Sequence, residues 1–128
     1  MIEVIGLLRR KPGISREEFL RHWKDDHGPL AMQIPEFARY VRKYVQVHPV
    51  KLPELGARER YQQAALPMEY DGAVEMWFDS PEEMQKAFAA LADPVACKAL
   101  REDEDRFIEG KSTLTVMVGE EFTIYERK

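Results

Sequence analysis

The N-terminal segment alternates apolar side chains between two faces and then meets a turn. In MIEVIGLLRR, Ile2, Val4 and Leu8 fall on one face. Ile5 and Leu7 fall on the other, and Lys-Pro-Gly follows directly. Period-two alternation that is closed by proline and glycine is typical of a strand that ends in a turn. Because both faces are apolar, we expect both faces of this strand to be covered in the native protein.

The next segment has the start and stop signals of an amphipathic helix. Ser15 and Glu18 form a Ser-x-x-Glu capping box, which predicts a helix that begins directly after Ser15. Gly28 suits a left-handed cap, and Pro29 disfavours the α-conformation in the residue before it. The sequence therefore predicts that this helix ends near His27.

The helix turns one face toward the interior. With about 100° per residue, four side chains lie within an arc of about 80°. They are Phe19, Trp23, His27 and Leu30. His27 is therefore predicted to face inward. His22 lies off the arc and four residues before Asp26, so we expect it at the surface in a weak local pair.

The middle of the chain predicts two more strands with an unusual connection between them. FARYVRKYVQV, residues 37–47, alternates and predicts a second strand, and DGAVEMWFD predicts a third. The connection at residues 49–70 carries three prolines and is long for a compact domain. It is an irregular segment that is either a lid or a mobile spacer.

The C-terminal part predicts helices and a final strand. Ser80 caps a helix with Pro81 at its first position, and a further helix begins at Asp93 and runs toward Phe107. TLTVMVGEEFTIYER predicts the last strand, with a bulge at Gly119.

The order strand, helix, strand, strand, helices, strand fits the split βαβ motif. We therefore predict an α+β, ferredoxin-like fold with a four-stranded antiparallel sheet and helices on one face. Since the other face has no helices to cover it, we expect two sheets to meet across a two-fold axis in a homodimer. This topology gathers His27, Tyr40 and Trp77 at one end of the layer.

Composition limits the class of protein. Residues 1–128 fit one domain, and the 19 basic residues are interleaved with 23 acidic ones for a net charge of −4, which argues against nucleic-acid and anionic-membrane partners. Cys97 is alone, and the N-terminus lacks a secretory pattern, so we expect a cytoplasmic protein. No apolar run approaches the length of a membrane span.

The candidate chemistry centres on His27. It is either a buried histidine satisfied by a backbone carbonyl or a general acid–base, whose charged form a helix C-terminus would stabilise. Trp23 and Trp77 either pack in the core or line an apolar pocket, and Glu75 shares the parity of Trp77. No metal-ligand spacing or glycine-rich nucleotide fingerprint is present, so no metal and no cofactor are expected.

The residues that carry these predictions also resemble a known family. RRKPGISREEFLRHWKDDHGPL, Tyr40 with Val41, DGAVEMWFDSPEE and EDEDRFIE resemble, in this order, the EthD family of dimeric α+β-barrel proteins. Named members are linked to ethyl tert-butyl ether degradation. The family looks related to the cofactor-free methylmuconolactone methylisomerase and to small polyketide-processing dehydratases and cyclases. In isomerase-like members a helix-end histidine and a tyrosine early in the next strand are implicated in the site, and His27 and Tyr40 fall on those positions.

The resemblance implies a cofactor-free isomerase or lyase that acts on a small, largely apolar ring or carbonyl compound. His27 would move a proton next to a carbonyl or lactone, and Tyr40 would hydrogen-bond the oxygen that gains charge. Trp23, Trp77 and Glu75 are the candidate ligand contacts. Two rivals remain: a non-catalytic ligand-binding or accessory protein of a degradation pathway, and a haem-binding or oxygen-using enzyme.

Overall fold

The structure is a computed structural model that describes residues 1–50, 70–110 and 115–128. Most of the irregular segment predicted at 49–70 lies outside these described residues, so the lid or spacer stays a prediction. None of the described helices is long and apolar enough to cross a membrane.

In the described part of the chain, four antiparallel strands form one sheet. They are β1 (Ile2–Leu8), β2 (Lys43–Val47), β3 (Gly72–Phe78) and β4 (Thr115–Glu120). The order across the sheet is β2-β3-β1-β4, with every neighbouring pair antiparallel. In register, Val4 lies opposite Met76 and Val118. This order is that of the split βαβ motif, so the predicted α+β, ferredoxin-like fold is confirmed.

Two helices begin where their serine caps predict. The helical segments are α1 (Arg16–His22), a π-helical turn (Trp23–His27), α2 (Gly28–Ala31), α3 (Pro35–Ala38), α4 (Pro81–Leu91) and α5 (Lys98–Phe107). The Ser15 hydroxyl accepts a hydrogen bond from the Glu18 backbone N–H at 3.1 Å, and the Ser80 hydroxyl accepts one from Glu83 at 3.2 Å. Each cap satisfies a backbone donor that the first helical turn leaves open.

The first helical segment does not end at His27, so that prediction is wrong. Gly28 has φ −56° and ψ −53°, which is helical rather than left-handed, and the chain continues to Ala31. Glycine leaves room here, because a Cβ at this position would lie 2.9 Å from Nε2 of Gln46 and would displace a side chain that donates to Trp23 and Tyr44. The close approach of a side chain from β2, and not a cap, explains this glycine.

Three other predicted boundaries are also corrected. The second strand begins at Lys43 rather than at residue 37, because Pro35 opens the short helix α3 and Phe37 is buried against the sheet. The last helix begins at Lys98, since the Asp93 carboxylate accepts from two backbone N–H groups of the preceding turn. The pairing of β1 with β4 runs unbroken through Gly119, so the predicted bulge is absent there.

One face of the sheet carries the core. Val4, Met76 and Phe78 pack with Phe37 and Ala87 beneath α3 and α4. A second cluster joins Leu8, Phe19, Trp23 and Phe107 beneath α1 and α5. In the described strands the opposite face holds only half-buried or exposed side chains: Glu3, Ile5, Leu7, Lys43, Val45, Val47, Ala73, Glu75, Trp77 and Met117.

Candidate functional site

The π-helical turn keeps a stripe of side chains on the buried face. Phe19, Trp23, His27 and Ala31 are spaced by four residues and are 0%, 1%, 8% and 7% exposed. In a regular α-helix a spacing of four drifts away from the 3.6-residue turn, whereas one wider π turn returns the later residues to the same face. The inward direction predicted for Trp23 and His27 is therefore present, with Ala31 in the position expected for Leu30.

One buried carboxylate holds two histidines. Asp103 on α5 is 4% exposed, and its Oδ2 lies 2.8 Å from Nδ1 of His27. Its Oδ1 lies 2.8 Å from Nε2 of His22 and 3.5 Å from the Arg106 guanidinium. His22 also makes the predicted pair with Asp26, at 3.2 Å. His22 is thus half-buried against α5 rather than a surface residue, and Asp103 fixes both imidazole rings.

The contact with Asp103 determines which nitrogen of neutral His27 carries the proton. A carboxylate only accepts hydrogen bonds, so Nδ1 of His27 is the donor and Nε2 is the unprotonated nitrogen. Nε2 has no hydrogen-bond partner in the described part of the chain, where no fully buried side-chain nitrogen or oxygen lacks one. Nε2 is therefore not fully enclosed by protein atoms in the described residues, and His27 is one of the residues that line a pocket.

Burial keeps the His27 ring neutral. Desolvation lowers the pKa of His27 below its ordinary value of 6.5 and outweighs the opposing effect of the Asp103 carboxylate. The expected stabilisation of a charged imidazole by a helix C-terminus is absent, because the helical path continues past His27 to Ala31. At neutral pH the ring is a base and not an acid.

A pocket of about 320 Å³ lies between the sheet and the helices. Its walls are mostly apolar, with Leu8, Met76, Phe88 and Leu100 among them. This volume falls at the lower end of the range of about 300–1,000 Å³ that small-molecule sites occupy. The polar side chains that reach it are His27, Tyr44, Arg9, Glu104, Asp105 and Glu109.

Tyr44 is the phenol of this pocket. The Nε2 of Gln46 donates to the Trp23 backbone oxygen at 2.9 Å and to the Tyr44 hydroxyl at 3.1 Å, while its Oε1 faces His48 at 2.8 Å. A backbone oxygen only accepts, which fixes the amide orientation of Gln46. The Tyr44 oxygen is then an acceptor toward Gln46 and toward the Trp23 side chain, so its O–H hydrogen is not used by either contact, and Tyr44 lines the pocket. Burial also raises the pKa of Tyr44, so the proton stays on.

Tyr40 does not take the position predicted for it. It lies in the turn between α3 and β2, packs on the Phe37 cluster, and has the Arg39 and Lys86 side chains 5.3 and 6.0 Å from its ring centre. It is not among the residues that line the pocket of His27. Tyr44 lies four residues later and on the same face of the predicted strand, so the sequence also offered it as the phenol of the site.

Trp77 and Glu75 lie on the other face of the sheet. The Trp77 indole N–H donates to the Glu121 carboxylate, and the Lys43 ammonium lies 5.1 Å from its ring centre. Glu75 lies opposite Ile5, on the same face as Glu3. Burial and the charges of Glu75 and Glu121 raise the pKa of Glu3. The structure therefore separates both predicted ligand contacts from His27 and retains only Trp23.

The described residues hold no group of three His, Cys, Asp or Glu side chains placed to bind a metal ion.

Two residues of the site carried no clear signal in the sequence. Asp103 and Glu104 lie in the acidic run EDED, where only the packing of α5 shows which carboxylates turn inward.

Comparison with known proteins gives the family. The EthD domain model matches residues 11–111. The chain belongs to the EthD family. An EthD family protein from Bacillus halodurans is similar over 95% of this chain and 99% of its own, with 25% identity and a TM-score of 0.56. HapK from Hahella chejuensis covers 100% of both chains at 12% identity and a TM-score of 0.61.

A third solved structure shares the fold. It is a dimeric protein of unknown function with a ferredoxin-like fold from Bacteroides fragilis, with 13% identity, a TM-score of 0.50, and coverage of 93% of this chain and 94% of its own. No functionally curated protein matches the chain.

Proposed function

We propose that this EthD protein is a cofactor-free enzyme that transfers a proton next to the carbonyl of a small, largely apolar ring compound. Lactones and polyketide-like ring ketones are the expected substrates, and the reaction is a lyase or isomerase step. The observation that carries the proposal is the 2.8 Å contact between Asp103 and Nδ1 of His27, because it leaves Nε2 unprotonated on a residue that lines an apolar pocket.

Two of the polar side chains at the pocket, His27 and Tyr44, supply the two parts of an enolisation. Nε2 of His27 takes the proton from the carbon next to the carbonyl, and a neutral imidazole near its pKa suits this role. The Tyr44 hydroxyl donates to the carbonyl oxygen, where negative charge develops. In an apolar pocket such a hydrogen bond is stronger than in water. This chemistry needs no redox group.

The active form is proposed to be a homodimer. The sheet face opposite the helices carries Ile5, Val45 and Met117 without a covering element in the described residues. Large exposed apolar faces mark interaction surfaces, and the related protein from Bacteroides fragilis is dimeric. The dimer would bury this face and leave the pocket of His27 on the helical side.

A non-catalytic ligand-binding or accessory role is the second candidate. The Asp103 carboxylate accepts hydrogen bonds from both His22 and His27, which satisfies this buried polar group. Both imidazole rings also pack on Phe107, with ring centres 4.8 Å apart in each case. That arrangement would stabilise the helices of a binding protein equally well. The two functions differ in whether a bound ketone exchanges its acidic protons.

The test is proton exchange in a simple bicyclic ketone. Tetralone in heavy water is incubated with the protein, and deuterium uptake at the carbon next to the carbonyl is followed by NMR. We expect the wild type to catalyse uptake and His27→Ala to lower the rate by about 10²–10⁴-fold, the usual contribution of a general base. Tyr44→Phe should lower it by about 10²–10³-fold, as for one oxyanion donor.

Tyr40→Phe is the matched control, because it removes the same hydroxyl outside the pocket and should leave the rate unchanged. Tetralone that binds without uptake would indicate the binding role. A Soret band in the purified protein would indicate haem, and either result contradicts the proposed enzyme.

A further inference from the structure

Glu104 lies on the α5 wall of the same pocket. Leu100 and Ile108, one helical turn before and after it, also line the pocket, so this side of α5 faces the cavity. Glu104 is half-buried, whereas the flanking Asp105 is exposed. The carboxyl group is therefore held at the cavity by the packing of its helix rather than reaching it from the surface.

The surroundings of Glu104 favour its protonated form. No ion pair or side-chain hydrogen bond holds its carboxyl within residues 1–50, 70–110 and 115–128. Burial raises its pKa, the charges of Asp105 and Asp103 raise it further, and only Arg101 opposes them. Arg9 and Glu109 also line this end of the pocket. A glutamic acid in such a place keeps its proton to a higher pH than one at the surface.

Asp103 and Glu104 divide two tasks between adjacent positions of α5. Neighbouring residues on a helix point about 100° apart, so the two carboxyl groups serve different surroundings. Asp103 turns to the π-helical turn and fixes His27, and Glu104 turns to the cavity. The base and this carboxyl therefore reach a bound molecule from two different helices.

We propose that Glu104 is a further catalytic residue, a general acid that protonates a hydroxyl group leaving the carbon next to the one from which His27 takes a proton. The inference rests on the proposed function, since it requires the base. It names the substrate class as a β-hydroxy ketone with a neutral ring. Besides Glu104, the charged side chains described at the pocket are the acidic Asp105 and Glu109 and the basic Arg9, and this excess of negative charge disfavours substrates with a carboxylate.

The step is an elimination of water. Nε2 of His27 takes the α-proton, and the electron pair of that C–H bond forms the carbon–carbon double bond. The bond from the β-carbon to the hydroxyl oxygen breaks with its electrons on oxygen, and the Glu104 proton completes the water that leaves. His27 ends protonated and Glu104 ionised, so one proton returned through water restores both without oxidation or reduction.

The experiment compares two reactions in one protein. The first is deuterium uptake by tetralone, which has no leaving group. The second is dehydration of its β-hydroxy derivative, which gives the fluorescent α-naphthol and one water. The variants are Glu104→Gln and, as a matched control, Glu102→Gln, which removes the same charge from an exposed position of α5. Thermal melting checks that each variant folds.

We expect Glu104→Gln to lower the dehydration rate by about 10²-fold or more, within the usual range for a general acid, with a much smaller effect on deuterium uptake. Glu102→Gln should change neither rate. Dehydration by Glu104→Gln at the wild-type rate, with uptake intact, overturns the role of Glu104 alone. Absence of uptake in the wild type instead overturns the base, and the general acid with it.

Discussion

At the scale of single residues, the site depends on which atoms donate and which accept. The Asp103 carboxylate and the Trp23 backbone oxygen are pure acceptors, and each fixes the hydrogen positions of the group beside it. These contacts leave a lone pair on Nε2 of His27 and an O–H on Tyr44, and both residues line one cavity. The sequence could not supply this, because the acceptors lie 76 and 23 residues from the groups they orient.

Asp103→Asn tests the orientation of the base. The amide can present an N–H to Nδ1 of His27, which favours the tautomer with the proton on Nε2 and removes the lone pair from the pocket. We expect deuterium uptake by tetralone to fall by about 10⁴-fold at most, the loss seen when such a carboxylate becomes an amide in a hydrolase triad. Asp26→Asn, the exposed partner of His22, is the control and should keep the rate.

The lowered pKa of His27 predicts how stability and activity depend on pH. Below pH 6.5 the unfolded chain takes up a proton at this position before the folded chain does. The free energy of unfolding should therefore decrease as the pH falls from 6.5 toward the lower folded pKa. Activity should hold through pH 6.5 and decline only when folded His27 is protonated.

Urea unfolding from pH 7.5 to 5 measures this dependence. The pKa of His48 is also lowered by burial, so His48→Gln is compared with His27→Gln. A pH slope that persists unchanged in both variants would contradict the account.

At the scale of elements, local signals located the starts of α1 and α4 and the two central strands β1 and β3. Ser15 and Ser80 cap as their spacing predicts, because a capping box uses only contacts within one turn. The prediction that Gly28 ends the helix is wrong, because this glycine makes room for the Gln46 side chain of β2, which lies far from it in the sequence. The alternation after residue 37 predicts a strand that begins too early for a similar reason, because Phe37 packs into the core from the short helix α3.

The substitution Gly28→Ala tests whether crowding by Gln46 explains this glycine, because helix propensity and crowding predict opposite changes in stability. At an ordinary helical position the change from glycine to alanine stabilises a protein by about 0.5–1 kcal/mol. Here the new Cβ would lie 2.9 Å from Nε2 of Gln46, so we expect destabilisation of about 1–3 kcal/mol, as for overpacked sites. In a Gln46→Ala background the same substitution should cost little, and a double-mutant cycle by urea unfolding measures the difference. Stabilisation by Gly28→Ala in the parent would refute the crowding argument.

At the scale of the whole molecule, apolar side chains remain exposed on β4 and beyond it, including Met117 on the sheet face opposite the helices. Met117 of β4 is 66% exposed, and beyond the strand Phe122 and Ile124 are 71% and 91% exposed. The two-sided apolar pattern of the strands indicated such a face from the sequence alone. The strand order and register were needed to identify the residues on this face. The homodimer is the arrangement that would remove this surface from water.

Met117→Glu tests the dimer without disturbing a folded core, since the side chain is exposed within one chain. A charge on the proposed interface should convert the dimer to a monomer of 14.9 kDa in light scattering at micromolar concentration. Val95→Glu, on the helical side and 85% exposed, is the matched control and should remain dimeric. A wild type that scatters as a monomer would contradict the dimer directly.

The central claim is that His27 offers an unprotonated Nε2 to the pocket, and nitrogen NMR of the histidine side chains tests it most directly. The spectrum separates the two neutral tautomers and the charged ring. At neutral pH the account predicts that His27 carries its proton on Nδ1 and that added tetralone shifts its Nε2 resonance. A His27 with its proton on Nε2, or one that is doubly protonated at neutral pH, would contradict the account, because neither form can accept a proton from a substrate.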